Sequence, residues 1–214
     1  MSNMDFVTQL IWRYPVLKAN EKEIRQMCDA VVKSYESGGK LLVCGNGGSC
    51  SDAEHIVGEL MKGFLLKRPM TAAQKNAFAN ALGEEEAEAF ASRLQRGLPA
   101  ISLVSHAGLM TALLNDCDPE LVFAQQVYTY MNPCDTLIAL STSGNSANVL
   151  NAAITTKAKG GKCVAVTGER DSKISAIADC TIKLPSTETY VIQEYTLPVY
   201  HCLCAMLEEE FFGE

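Results

Sequence analysis

Residues 40–49 read KLLVCGNGGS, an apolar run that passes directly into a glycine-rich turn. The run 40–44 is typical of a buried strand, and the spacing of apolar residues after the turn predicts a helix over 49–63. Three glycines in the four residues 45–48 allow the backbone to approach a ligand without side-chain clashes. The stretch therefore predicts a strand, a tight turn and a helix, although as a ligand loop it is a weak signal and a purely structural turn is the alternative.

Four more short apolar runs continue this pattern along the chain. They cover residues 100–104, 136–140, 162–166 and 181–184. Segments with helical spacing lie between and after the runs, at 107–130, 146–158, 171–177 and 189–210. Strands that alternate with helices predict an α/β fold, a three-layer, doubly wound parallel sheet of five strands. In such a sheet, ligands bind at the carboxyl ends of the strands.

The segment before the first strand is predicted to be helical. Apolar residues recur at helical spacing over 5–14 and 19–37, and Ser37-Gly38-Gly39 is a stop signal. The chain carries no internal repeat and no low-complexity linker. We therefore expect a single domain over 1–214, with N-terminal helices in 1–38 and a core over 39–214.

Residues 65–98 interrupt the alternation between the first two strands. They are rich in Ala and Glu, and a break at Leu82-Gly83-Glu84 divides them. We expect two short helices, 71–82 and 84–96, inserted into the sheet domain. The insertion is either a solvated surface hairpin or a lid or subunit contact, and the sequence leaves both open.

Composition argues against several kinds of partner and location. The net charge is −7, and no basic run is longer than Lys67-Arg68, which disfavours nucleic acid. Nine scattered cysteines without a CxxC pair favour reduced thiols and a cytoplasmic protein. The first residues, MSNMDFVTQLIWRYPVL, lack the features of a signal peptide, and no apolar run has the length of a membrane span.

A second loop follows the third predicted strand, where residues 141–146 read STSGNS. Four hydroxyl side chains surround one glycine at the start of a helix. Ser146 is a candidate N-cap, but a cap needs only one hydroxyl. The surplus favours a bound phosphate, with a serine-rich turn as the alternative. Because the chain is acidic and no arginine is near, we expect neutral donors to hold that phosphate.

A candidate metal and acid–base group is divided between two predicted helices. His55 and Glu59 are four residues apart, which places them on one face of a helix. Gln193 and His201 are eight residues apart on the last helix, and Pro198 between them should kink it. Together these four side chains can ligate Zn²⁺ or a similar divalent ion. A surface His–Glu pair and a core His201 are the plainer alternative.

At this point the motifs identify a family. GNGGS, DAEHIVGEL, the pair Asn115-Asp116, STSGNS and IQEYTLPVYH resemble the phosphoheptose isomerases of the SIS (sugar isomerase) family, whose fold is flavodoxin-like. The resemblance covers most of 35–210 apart from 65–98. It implies conversion of sedoheptulose 7-phosphate to D-glycero-D-manno-heptose 7-phosphate by a homotetramer with sites at subunit interfaces.

The resemblance also implies roles for particular residues. It implies Zn²⁺, or another divalent metal, on His55, Glu59, Gln193 and His201. It implies substrate contacts from Asn46, Gly47, Gly48, Asn115, Asp116, Ser141, Thr142, Ser143 and Ser146, to which we add Gln193. The chain departs from the family where SHCDAMH often stands, since residues 49–55 read SCSDAEH. Gly63 and Thr196 also replace a frequent basic residue and a frequent histidine, and the insertion at 65–98 is longer than expected.

A ketose–aldose isomerase moves a proton between C1 and C2 and another between the two oxygens. We predict that Glu59 takes the carbon-bound proton, that His201 serves the oxygens, and that Asp116 is a second candidate base. Two other interpretations remain open. One is a non-catalytic SIS adaptor that binds a protein partner, and the other is an SIS protein that isomerises or senses a different sugar phosphate.

Overall fold

A computed structural model describes residues 5–213, and the parts of the domain prediction that fall on 1–4 and 214 lie outside these residues. Five strands form one sheet in the order β2-β1-β3-β4-β5, and every neighbouring pair is parallel. The strands are β1 (Leu41–Gly45), β2 (Ala100–Ser102), β3 (Thr136–Leu140), β4 (Lys162–Gly168) and β5 (Cys180–Leu184). The predicted α/β fold with a five-stranded parallel sheet is confirmed.

Ten α-helices surround the strands within the described residues. They are α1 (Phe6–Arg13), α2 (Glu21–Glu36), α3 (Gly48–Met61), α4 (Ala72–Asn76), α5 (Ala79–Leu82), α6 (Glu84–Ala91), α7 (Ala107–Asp116), α8 (Val122–Tyr130), α9 (Ala147–Ala158) and α10 (Thr189–Phe212). Short 3₁₀ helices occupy Pro15–Asn20 and Pro119–Leu121. No helix in the described part of the chain has the length and apolar character to cross a membrane.

The sheet has a separate hydrophobic core on each face. Leu41 and Val43 point into one core, which α1, α2, α3 and α10 cover. Leu42 and Cys44 point into the other, which α8 and α9 cover. Successive side chains of a strand face opposite sides, so a strand buried on both sides is a continuous apolar run. This burial accounts for the runs seen in the sequence and for the three layers.

Two helix predictions between strands differ from the structure. The segment 107–130 is not one helix, because Asp118-Pro119 separates α7 from α8 with a 3₁₀ turn in which Asp118 accepts a hydrogen bond from the Glu120 amide. A residue before proline avoids the helical conformation. The predicted helix 171–177 is wrong. There, the hydroxyls of Ser172 and Ser175 each accept a hydrogen bond from the other's backbone amide, which competes with a helix.

The insertion is helical but more divided than predicted. The segment 71–82 forms α4 and α5 with a break at 77–78, and the helix predicted over 84–96 ends at Ala91. A single antiparallel bridge between Pro69 and Gln95 closes the base of the insertion. Strand β2 also ends earlier than expected, at Ser102.

A buried ion pair joins the end of α3 to α10. The Glu208 carboxylate accepts hydrogen bonds of 2.6–2.9 Å from the backbone amides of 64–66, and one of 2.7 Å from Arg68 Nε. Arg68 also donates to the backbone carbonyls of Leu60 and Glu59. Both charged side chains are about as buried as core residues. This clamp holds the last turn of α3 against the helix that carries Gln193 and His201.

Replacement of Glu208 by Gln should destabilise the fold by about 3–5 kcal/mol, because Arg68 would remain buried without its countercharge. Burial alone would raise the pKa of Glu208, but the three amides and Arg68 outweigh burial and lower it. Its stabilisation is therefore fully present above the ordinary carboxyl value of 4.5 and is lost as the pH falls through the lowered pKa. Urea unfolding as a function of pH measures both effects. Glu210→Gln, an exposed site on the same helix, is the control, and equal stability of the two variants would contradict the clamp.

Candidate active site

The first loop, at the end of β1, is in contact with a side chain of α10. Gly47 has a φ of +57° and precedes the first residue of α3, so the chain turns sharply there. A Cβ on Gly48 would lie 2.5 Å from Nε2 of Gln193, so only glycine leaves room for this amide. The predicted ligand-loop residues Gly47 and Gly48 thus lie together with Gln193.

The second loop presents hydroxyl groups at the start of α9. Gly144 has a φ of +62°, and its amide donates to the Ser141 carbonyl, which closes the turn. The Oγ atoms of Ser141 and Ser146 are 3.2 Å apart. Ser146 occupies the N-cap position of α9, but its side chain makes no capping hydrogen bond. Its hydroxyl therefore faces the loop, as a ligand-binding role requires.

The two loops are connected by an amide pair. Asn46 Nδ2 donates to Asn148 Oδ1 at 2.8 Å, and Asn148 Nδ2 donates back to Asn46 Oδ1 at 2.9 Å. Asn46 was a predicted substrate contact, whereas Asn148 was missed by sequence reasoning. Its only signal was its place in the first turn of the helix after STSGNS. The two asparagines meet because β1 and β3, which lead into the two loops, are neighbours in the sheet.

A cavity of about 210 Å³ lies beside the second loop. Thr142 and Ser143 form one wall, and Arg170, just after β4, forms part of another. The expectation that no arginine is near the loop is therefore wrong. Arg170 is 27 residues beyond Ser143 in the sequence, so sequence proximity does not indicate it. It lies near the loop because β3 and β4 are adjacent in the sheet. The cavity wall thus contains the neutral donors of the loop, the guanidinium group of Arg170 and the carboxyl groups of Glu169 and Asp171.

His55, Glu59 and His201 meet between α3 and α10. His55 Nε2 is 3.1 Å from Glu59 Oε1, and the rings of His55 and His201 are 5.2 Å apart. Lys62 Nζ lies 3.0 Å from the other carboxylate oxygen of Glu59. Lys62 thus supplies a positive charge next to the site even though Gly63 replaces the basic residue expected there. Tyr200, which sequence reasoning did not identify, contacts His55 Nδ1 at 2.8 Å.

The donor chemistry of this group suits a divalent cation. His201 Nε2 is buried and has no hydrogen-bond partner, so it has a free nitrogen at the site. Burial, and then the neighbouring His55, lower the pKa of His201 and favour the neutral ring that a metal needs. As the side chains stand, however, no three His, Cys, Asp or Glu side chains among residues 5–213 are arranged to hold an ion. Glu59 is instead engaged by His55 and Lys62.

Asn115 and Asp116 lie at the end of α7, exposed to solvent. Asn115 Nδ2 donates to Asp116 Oδ1 at 2.7 Å. No hydrogen bond between described residues joins this pair to either loop or to Glu59. The structure therefore brings Gln193 against the glycine loop and, as a second group, brings His55, Glu59 and His201 together between α3 and α10. The Asn115–Asp116 pair joins neither group.

The fold and the two ligand loops define a SIS-domain protein. Models of the SIS domain match residues 6–95 and 102–207 of the chain. Together these two segments contain both loops and all four residues predicted to bind metal.

Comparison with known proteins narrows the class further. The chain is 36% identical to the phosphoheptose isomerase of Burkholderia pseudomallei over 191 residues, 89% of this chain and 83% of that protein. Its structure resembles that of a phosphoheptose isomerase from Francisella tularensis, with a TM-score of 0.75, 29% identity, and coverage of 92% and 91%. The Neisseria gonorrhoeae phosphoheptose isomerase gives a TM-score of 0.66 at 28% identity, with 86% and 84% covered. The chain belongs to the phosphoheptose isomerase family.

Replacement of Gly144 by Ala should disrupt the second loop. The new methyl group would lie 2.1 Å from Ser172 Oγ, and the positive φ alone costs about 1–2 kcal/mol for a residue with a Cβ. We expect weaker binding of sugar phosphates, measured as a rise in KM, and a lower melting temperature. Gly108→Ala is the control, because nothing lies within 4 Å of its added Cβ. Unchanged KM in the Gly144 variant would show that the loop does not hold the phosphate.

Proposed function

We propose that this chain is a ketose–aldose isomerase that converts sedoheptulose 7-phosphate to D-glycero-D-manno-heptose 7-phosphate. The observation that carries the proposal is the grouping of Glu59, His55 and His201 between α3 and α10, with Gln193 of α10 against the glycine loop. The names of the relatives, phosphoheptose isomerases, support a heptose phosphate as the substrate. A sugar isomerase needs an anion-binding loop and an acid–base group, and this chain supplies candidates for both. The loops lie at the ends of β1 and β3, and the candidate acid–base group lies further along α3 and α10.

The phosphate of the substrate would bind at the second loop. The hydroxyls of Ser141, Ser143 and Ser146 and the start of α9 supply neutral donors for its oxygens. Arg170 lies in the wall of the adjoining cavity between Glu169 and Asp171, and its guanidinium group is the candidate charged donor there. Asn46, Gly47 and Gly48 of the first loop would contact the sugar.

Proton transfer is assigned to two side chains. Glu59 would remove the proton from the substrate carbon, and His201, held neutral by burial, would exchange protons with the two oxygens. Lys62 Nζ lies 3.0 Å from Oε2 of Glu59, so a cation adjoins the proposed base. Asp116 stays a prediction as a second base. It is exposed at the end of α7, and no hydrogen bond in the described part of the chain joins it to Glu59.

A divalent metal, Zn²⁺ in the first instance, would be held by His55, Glu59, Gln193 and His201. When bound, such an ion polarises a carbonyl and stabilises an enediolate. The support from this chain is the buried, unpartnered Nε2 of His201 and the neighbouring His55–Glu59 pair.

We further propose a cytoplasmic location, since all nine cysteines are free thiols, and cell fractionation tests it.

Purified protein incubated with sedoheptulose 7-phosphate should form an aldoheptose 7-phosphate, followed by NMR, and Zn²⁺ should raise the rate. Glu59→Gln should lower kcat about 10²–10⁴-fold, the usual contribution of general acid–base catalysis. Glu36→Gln, on the exposed end of α2, is the matched control and should leave kcat unchanged. Near-wild-type turnover in a folded Glu59→Gln protein would remove Glu59 as the base. No product at any metal loading would point to another sugar phosphate.

We also propose that the chain forms a homotetramer with its sites at subunit interfaces. An apolar groove of about 630 Å³ runs along α1 and α10, with His201 in its wall. Trp12, which is 68% exposed, and Leu65, which is 59% exposed, lie at this groove. Exposed apolar surface of this kind is typical of a protein contact, and a second copy would complete the site around His201.

Sedimentation velocity should give the mass of four chains, and Trp12→Glu should shift the protein to smaller species, because a charge would be buried at the contact. Tyr128→Glu changes a similarly exposed aromatic on α8, on the opposite face of the sheet, and should leave the mass unchanged. A fully active monomer would contradict the proposed interface.

A further inference from the structure

An asparagine in the first turn of α9 holds the side chain of a proposed substrate contact. Asn148 and Asn46 exchange two hydrogen bonds, of 2.8 and 2.9 Å, between the serine loop side and the glycine loop. The resemblance to a known family implied a substrate contact for Asn46. Asn148 lies outside every motif that indicated the site, so its role has to be argued from its contacts.

The orientation of the Asn148 amide is set by a backbone group. Asn148 Oδ1 also accepts a hydrogen bond of 3.0 Å from the backbone amide of Val149. A backbone N–H can only donate, so the atom that faces it must be the oxygen of the side-chain amide and not its NH2 group. Val149 has no exposed surface and packs in the core beneath α9, which fixes the position of this N–H. Asn148 Nδ2 is therefore the donor that remains for Asn46.

The fixed amide of Asn148 in turn fixes that of Asn46. The backbone of Asn46 is already held, because its carbonyl accepts a hydrogen bond of 3.0 Å from the Ser49 amide. A flipped Asn46 amide would place two oxygens together and two NH2 groups together, so only one orientation fits Asn148. A primary amide has two hydrogens and two lone pairs, and the pair uses one of each. One hydrogen and one lone pair of Asn46 stay free, in fixed directions.

We infer that Asn148 is a positioning residue, which orders the amide of Asn46 so that one N–H donor and one oxygen acceptor remain for the hydroxyl groups of a sugar. A hydroxyl both donates and accepts, so a donor and an acceptor side by side suit a chain of neighbouring hydroxyls. A side chain that is ordered beforehand loses less conformational entropy when the ligand binds. The inference rests on the proposed function only in taking the ligand to be a sugar phosphate.

The order of the Asn46 side chain is measurable without any ligand. Relaxation of ¹⁵N in the side-chain amide gives its order parameter, and an Asn46→Ala sample assigns the signal. We expect about 0.85, the value of rigid backbone, in the wild type and a value below about 0.6 in Asn148→Ala. Equal order parameters in these two proteins would overturn the inference.

Asn151→Ala is the matched control for Asn148→Ala. It removes an asparagine about one turn further along α9, whose Nδ2 donates at 3.0 Å to the Glu120 carbonyl instead of to the glycine loop. The change is chemically the same and lies on the same helix. It should leave the order parameter of Asn46 at the wild-type value, and an equal loss of order in both variants would contradict a specific role of Asn148.

Calorimetry then tests whether this order serves sugar binding. The probes are a heptitol 7-phosphate, which has no carbonyl and cannot be isomerised, and inorganic phosphate, which has no sugar hydroxyls. Asn148→Ala should weaken binding of the heptitol phosphate about 2–10-fold, which is what one neutral hydrogen bond contributes, and should leave binding of inorganic phosphate unchanged. In an Asn46→Ala background the same change should have no further effect. An equal loss for both probes would indicate general damage to the serine loop and overturn the role through Asn46.

The outcomes separate this inference from the proposed reaction. A protein that shows these binding effects but does not isomerise sedoheptulose 7-phosphate supports the positioning role and rejects the reaction. A protein that isomerises the sugar but has unchanged heptitol phosphate affinity in Asn148→Ala rejects the positioning role alone. Tighter binding in Asn148→Ala would show that the amide pair hinders the ligand, and would overturn the inference. A wild type that binds no heptitol phosphate would reject both.

Discussion

The parallel pairing of β1 with β3 is the constraint on which the ligand end of the molecule depends. Their last residues, Gly45 and Leu140, are partners in the register, so both chains leave the sheet at the same level. The glycine loop and the serine loop therefore begin side by side, although 95 residues separate their first members. The Asn46–Asn148 amide pair is the direct product of this alignment. A shift of one residue in the register would separate the loops and reverse the faces of the strand.

The side chains proposed for acid–base chemistry depend on a different contact, the packing of α10 on α3. Neither helix carries the whole group, so the distance between His55 and His201 is set by how the helices are held. The Arg68–Glu208 pair holds the two helices together at the far end of α3. There, Arg68 also donates hydrogen bonds to backbone carbonyls of the last turn that lack a partner within the helix. Near His55, the Tyr200 hydroxyl makes a second connection between the same helices. The same helix pair thus carries both the buried ion pair and the proposed acid–base group.

Local signals in the sequence were sufficient for the strands, the two loops and the His55–Glu59 pair. Each of these depends on neighbours within a few residues, and burial on both faces makes the strands visible as apolar runs. Arg170, Asn148 and Tyr200 could not be found in this way, because their relation to the site depends on the order of the strands and on the rotation of α10. The predicted helix over 171–177 failed for a related reason. Its apolar spacing is real, but the hydroxyls of two serines bind the backbone amides that a helix would use.

Most α-helices in the described part of the chain begin without a side-chain cap, and α3 and α9 are among them, whereas Asp5 caps α1 and Thr71 caps α4. At α9 a suitable hydroxyl, that of Ser146, is present in the capping position but is bonded to Ser141 instead. A bound phosphate would supply the missing acceptors for the first amides of the helix. The substrate would then be a structural part of the protein as well as its reactant.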